Sequence, residues 1–207
     1  MKLQPIADDL ISWCKNQRID HEIVRYQKSA PSPAQLKKLS RLHPALPNLY
    51  EDTNGIIIAW GQEGQEEECG LLKIHEIDEC IDLAESEAKG IAAWSDLDIL
   101  ASGHDAAWWK PRIPLYRSLM KFYDEGNGDC IAVSKLDSAV YFVFGSWMDL
   151  GGDQPPIMKL ADDLHSLITH WSAIRFACPK NLYWMSAVSS GQFTGFNEVG
   201  FALSSAR

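Results

Sequence analysis

The stretch LYRSLMKFYDEGNGDCIAVSKLDSAVYFVF, residues 115–144, decides the fold class. Its apolar residues fall into three runs, and turn-forming residues separate the runs. The Asp-Glu-Gly-Asn-Gly sequence at 124–128 is typical of a hairpin turn. We therefore predict strands at 115–123, 129–134 and 139–144, which follow one another as an antiparallel meander.

Helical patterns flank this meander on both sides. Apolar residues at three- and four-residue spacing predict helices at 3–16 and 76–88, and the clearest such pattern covers 159–174. Ser32-Pro33-Ala34-Gln35 matches a capping box, which predicts that another helix begins there. A short helix is predicted over 46–55, where Asn54-Gly55 would end it.

The other apolar runs predict strands at 21–26, 56–60 and 70–74. Residues 90–114 and 145–156 contain helix and strand breakers, and we predict that they are irregular. Helices at both ends with antiparallel strands between them are typical of an α+β fold. We predict a single α+β domain over 1–207, with a central, mainly antiparallel sheet flanked by helices.

The composition is that of a globular protein. The 207 residues are 46% hydrophobic and 23% charged, which excludes disordered and collagen-like chains. No apolar run approaches the ~20 residues of a membrane span, and Asp8 and Asp9 interrupt the first apolar stretch, unlike in a secretory signal. The five cysteines are widely spaced and form no CxxC pair. We therefore expect a cytoplasmic protein with reduced thiols and no membrane partner.

The excess negative charge is concentrated in one segment. Between Glu63 and Ala88 there are ten acids and one base, Lys73. The net charge of this segment is therefore −9, which equals the formal net charge of the whole chain. Such a field repels nucleic acid and attracts a basic protein, although a solvated face kept for solubility gives the same pattern. The candidate partner-binding acids are Glu63, Glu66, Glu67, Glu68, Asp78, Glu79, Asp82 and Glu85.

Tryptophans form a second candidate surface. The chain has eight of them, and Trp94, Trp108 and Trp109 fall in the region that we predict to be irregular. Aromatic side chains on loops are frequent interface anchors, because they bury a large area at a low entropic cost. The alternative is that these three side chains cover an edge of the sheet.

Motifs for catalysis and for metal binding are not found in the sequence. Cys69, His75 and Cys80 are the best grouping for zinc, and they lack a fourth ligand. Residues 124–135 depart from the calcium-loop pattern, and no GxSxG, HExxH, GxGxxG or Walker motif occurs. We expect no metal, no cofactor and no enzymatic activity, and a Cys–His pair brought together by folding is the open alternative.

Several short motifs together resemble the SUKH superfamily. They cover about residues 30–174, and the helix at 3–16 and the extension at 175–207 are expected to pack on this core. The motifs are the Ser32-Pro33-Ala34 helix start, the Leu46-Pro47 step, Asn54-Gly55 before a strand, Trp108-Trp109, Ile113-Pro114, and GNGDCIAV at 126–133.

This superfamily includes fungal cell-wall synthesis regulators and bacterial immunity proteins. The resemblance implies an α+β fold and a non-enzymatic, protein-binding role. It favours an immunity-type protein that neutralises a basic, nuclease-like toxin domain through the acidic segment. One alternative is a regulatory scaffold of the same family that binds an unrelated cellular partner, with Trp94, Trp108 and Trp109 at its interface. The other alternative is an enzyme.

Overall fold

The computed structural model describes residues 1–61, 70–93, 95–96, 107, 110–124, 129–143 and 157–176. Within these residues the helices are α1 Gln4–Gln17, α2 Pro33–Leu42, α3 Ile77–Ala93, α4 Ile113–Ser118 and α5 Leu164–Ala173, together with a 3₁₀ helix at Leu46–Tyr50. The strands are β1 Asp20–Tyr26, β2 Ile56–Gly61, β3 Gly70–Ile74, β4 Leu119–Asp124, β5 Cys130–Ser134, β6 Val140–Val143 and β7 Ile157–Ala161.

The strands form two antiparallel sheets. β1, β2 and β3 lie side by side in that order, and β4 to β7 form the second sheet as a sequential meander. In the first sheet, Trp60 of β2 lies opposite Gly70 of β3. Helices accompanying antiparallel sheets confirm the predicted α+β class, and the strands are divided between two sheets.

The first two helices begin and end where the sequence indicates. α1 has a proline in its first turn, and Arg18, the residue after its last helical residue, adopts a left-handed conformation with φ 56°. At the start of α2, the Ser32 hydroxyl accepts a hydrogen bond from the Gln35 amide, and the Ser32 amide donates to the Gln35 side chain. The predicted capping box is therefore confirmed.

One hydrophobic core connects both sheets to the helices. α1 contributes Ala7, Leu10 and Cys14 from one face, and burial raises the pKa of the Cys14 thiol to about 11. Every residue of β5 is buried, so both faces of the four-stranded sheet are covered at this strand. The folded chain holds Cys14 as a packed, protonated thiol at neutral pH.

Two of the predicted elements are wrong at their starts. The predicted strand 115–123 begins as helix α4, because Pro114 suits a first turn, and the strand starts only at Leu119. The predicted helix 159–174 begins as strand β7, and α5 follows Asp163, whose carboxylate accepts a hydrogen bond from the Ser166 amide at 2.6 Å.

Two other elements differ from the prediction at their ends. The 3₁₀ helix ends at Tyr50 rather than at Asn54-Gly55, and Gly55 instead adopts a φ of 117° just before β2. α3 continues through Gly90 to Ala93, beyond the predicted end at residue 88. The prediction that 90–114 is irregular is wrong at both ends, because residues 90–93 belong to α3 and residues 113–114 to α4. Residues 94, 97–106, 108–109, 145–156 and 177–207 lie outside the described residues.

Candidate functional site

Four of the candidate acids lie on α3. The buried face of this helix carries Ile77, Cys80, Ile81 and Ala84, at the three- and four-residue spacing of an amphipathic helix. Asp78, Glu79 and Asp82 are exposed on the other side, and Glu85 is half-buried. Asp78 and Glu79 also lie in the first turn, where the helix dipole stabilises negative charge. We call these four side chains, together with Glu76 just before the helix, the α3 acidic surface.

Glu79 is held by a cation from another element. The Arg25 guanidinium of β1 donates to both carboxylate oxygens of Glu79, at 2.7 and 3.2 Å, and its Nε lies 3.7 Å from Glu76 Oε1. The hydrogen bonds from Arg25 lower the pKa of Glu79, and the same contact raises the pKa of Arg25. His75 Nδ1 lies 3.4 Å from the same carboxylate. Glu79 is thus ionised at neutral pH, and Arg25 largely neutralises its charge.

Two further acids face α2. The Gln35 side chain donates to Asp78 at 3.0 Å, while its carbonyl oxygen completes the capping box of α2. Lys38 Nζ lies 4.0 Å from Glu85 Oε1, at the limit of an ion pair. These contacts join α2 to α3 through long, exposed side chains, so each contributes little to stability.

Asp82 differs from its neighbours. It is exposed, and the described part of the chain provides no ion pair or hydrogen bond to its carboxylate. Among the described lysines and arginines, Arg25 and Lys38 alone form ion pairs with the five acids of the surface, so three formal negative charges remain with His75 neutral. The surface therefore keeps a net negative field after its internal ion pairs are counted.

The remaining candidates cannot be placed against this surface. Glu63, Glu66, Glu67, Glu68, Trp94, Trp108 and Trp109 all lie outside the described residues. The residues on either side of 62–69 are described: Gly61 is the last residue of β2, and Gly70 is the first residue of the adjacent strand β3.

The sequence patterns do not indicate the partners of these acids. Arg25, Gln35 and Lys38 are distant from α3 along the chain, and no local spacing connects them to it. A charge count shows that α2 is basic, with Lys37, Lys38 and Arg41, and it does not single out Lys38 as the partner of Glu85. Arg25 has no comparable signal, because its position depends on the pairing of β1 with β2.

The candidate zinc ligands are not assembled in the part of the chain that the structure describes. Cys69 lies outside it, and Cys80 is buried, with a pKa raised to about 11 by that burial. Across the described ranges, no group of three or more His, Cys, Asp or Glu side chains is placed to hold a metal ion. None of the described helices is both long enough and apolar enough to cross a membrane.

Comparisons with known proteins give no relative. No protein-family model, curated protein or solved structure matches this chain.

Proposed function

We propose that this protein is a non-enzymatic binding module of the immunity type, which neutralises a basic, nuclease-like toxin domain. The observation that carries the proposal is the α3 acidic surface, which retains three negative charges after its pairing with Arg25 and Lys38. The SUKH-like motifs of the sequence support the same class of function. Glu63, Glu66, Glu67 and Glu68 add four negative charges to the same stretch of the sequence.

The physical basis is electrostatic complementarity. A domain that holds nucleic-acid phosphates carries a basic cleft, and a negative surface steers such a domain into encounter and blocks the cleft once bound. Charge of this kind acts mainly on the association rate, and added salt weakens it. No residue that the structure describes pairs with the exposed carboxylate of Asp82, so a partner can bind it without displacing any of them.

The test begins with capture from a lysate of the source organism that contains the product of the adjacent reading frame. We expect the immobilised protein to retain a basic protein at ~50 mM salt and to lose it at ~500 mM. The captured protein is then purified and assayed for nuclease activity with and without this chain. Capture that resists high salt and is lost in Trp108→Ala would favour the scaffold alternative.

Charge reversal locates the interaction. In stopped-flow measurements at low salt, Asp78→Lys with Asp82→Lys should slow association about tenfold or more, with a smaller change in dissociation. The control reverses Glu22 of β1 and Asp162 between β7 and α5, two exposed acids outside the segment 63–88, and should have a weaker effect. Glu66→Lys, Glu67→Lys and Glu68→Lys together test the loop. An unchanged association rate in both sets of variants would exclude steering by this segment.

A further inference from the structure

The outer side of β1 is open in the part of the chain that the structure describes. β2 and β3 both lie on the other side of β1, so β1 is an edge strand of the three-stranded sheet. Among the described residues, only three large hydrophobic side chains are exposed, and two of them, Ile23 and Val24, are adjacent in β1 at 47% and 59% exposure. An edge strand with exposed apolar side chains is a template on which another strand can pair.

A bulge at Val24 restricts which strand can pair there. Val24 has no opposite residue on β2, and the register shifts at this point. Glu22 lies opposite Ala59, and Arg25 lies opposite Ile57, two residues that share one face of β2. Glu22 and Arg25 therefore share that face, although residues three apart in a regular strand lie on opposite faces. A regular partner strand would match β1 on one side of the bulge and mismatch it on the other.

We propose that a second copy of this chain pairs with the outer edge of β1, antiparallel, about a two-fold axis between Ile23 and Val24. The second copy carries the same bulge, so both strands break their alternation at the same point. Ile23 then lies opposite Val24 of the second copy, and Glu22 lies opposite its Arg25. Opposite residues share a face in this register, as antiparallel pairing requires. Moving the axis by half a residue either way would put Arg25 opposite a residue of the other face.

The charges along β1 are compatible with this register. Glu22 is exposed, and no described residue forms an ion pair with it. The Arg25 guanidinium uses two of its five N–H groups for Glu79, so donors remain for Glu22 of the second copy. Asp20 lies opposite Gln27, so the pairing places no acid directly opposite another acid, which would be destabilising.

The dimer is expected to be weak and to respond to salt in a characteristic way. One pair of seven-residue strands buries less than the ~800 Å² per partner of a standard stable interface. Each copy has a formal net charge of −9, so long-range repulsion opposes the pairing. Added salt screens this repulsion and should strengthen the dimer, whereas it should weaken the binding of a basic partner. The inference does not depend on the proposed function.

Sedimentation velocity of the full-length chain tests the dimer. Between ~10 μM and ~1 mM, the wild type should shift from monomer towards dimer, and more so at ~300 mM than at ~50 mM salt. Val24→Lys should raise the dissociation constant about tenfold or more, because a lysine on an edge strand opposes pairing. The matched control is Leu136→Lys, which places the same charge at the third exposed hydrophobic residue, on the turn after β5, and should dimerise like the wild type.

Hydrogen exchange locates the interface. In the wild type, amides of residues 20–26 should exchange more slowly at ~1 mM than at ~10 μM, and in Val24→Lys they should exchange equally fast at both concentrations. Amides of residues 134–139, around Leu136, should show no dependence on concentration. The proposal is wrong if the wild type stays monomeric over this range, if Leu136→Lys weakens the dimer as much as Val24→Lys does, or if the slowed amides lie outside β1.

Discussion

The surroundings of Trp60 and the α3 acidic surface connect distant parts of the chain by different means. Trp60 is 2% exposed, meets Trp13 of α1 edge-on at 5.2 Å and packs on Gly70 of β3. On the α3 acidic surface, contacts are made by flexible side chains such as Arg25 and Glu79, which are 25% and 47% exposed. Close packing of side chains holds the first region together, and solvated ion pairs connect the second. Substitutions in the first should therefore alter stability, and those in the second should alter association with a partner.

In the surroundings of Trp60, Gly70→Ala should cause the largest loss of stability. A Cβ atom at this position would lie 2.2 Å from two atoms of the Trp60 indole, which is held by its own hydrogen bond and cannot move aside freely. Overpacking of a dense core typically costs ~1–3 kcal/mol, and this overlap is severe enough that we expect a loss of about 3 kcal/mol. Urea denaturation followed by circular dichroism measures the change in the free energy of unfolding.

A double-mutant cycle tests the cause. Trp60→Leu removes the ring atoms Nε1, Cε2 and Cζ2 that would make the closest contacts with the added Cβ, and also removes the 2.7 Å bond to Arg175. Gly70→Ala should consequently cost less in the Trp60→Leu background than in the wild type. Equal costs in both backgrounds would show that the loss comes from the backbone of β3 and not from contact with Trp60.

Local signals in the sequence predicted most of the fold. The capping box at Ser32 and Gln35, and the apolar runs of β2 and β3, involve residues within a few positions of one another, and they are confirmed. β7 is the exception, because Leu160 lies four residues before Leu164 and so continues the apolar spacing of α5 back into the strand.

The candidate site was predictable only in part. The acidic face of α3 follows from helical spacing, because its buried and exposed residues alternate with the helix period. The pairing of Glu79 with Arg25 depends on how β1 joins the sheet, which no local pattern encodes. The need for glycine at position 70 likewise depends on the ring of Trp60, which packs against it from the neighbouring strand.

A buried histidine at the end of α2 adds a response to pH. His43 Nδ1 accepts a hydrogen bond from the Ala45 amide, so the proton is on Nε2, which donates to the Ser134 carbonyl at 3.1 Å. Burial lowers the pKa of His43 from its ordinary value of 6.5, and nearby Lys135 acts in the same direction. Below pH 6.5 the unfolded chain therefore binds a proton that the folded chain excludes.

The free energy of unfolding should therefore fall as the pH decreases through this window. It should be insensitive to His43 well above pH 6.5, decline as the pH approaches the lowered pKa of the folded state, and level off below it. Urea titrations between about pH 8 and about pH 5 measure the slope. His43→Gln should reduce this slope, and the same substitution at the exposed His165 should retain it. An unaltered slope in His43→Gln would contradict the assignment.

The smallest effect on stability is expected from Arg25→Met, and it sharpens the contrast between the two regions. The methionine keeps an apolar stem, and the lost ion pairs with Glu79 and Glu76 are partly exposed, so unfolding should become easier by less than ~1 kcal/mol. The same change leaves the α3 acidic surface with four uncompensated charges instead of three, so association with a basic partner at low salt should become faster. Lys28→Met removes one positive charge at an exposed position that pairs with Asp8 instead, and it should raise the association rate less. If Arg25→Met were as destabilising as Gly70→Ala, Arg25 would have to be counted among the packing contacts, and the distinction between the two regions would fail.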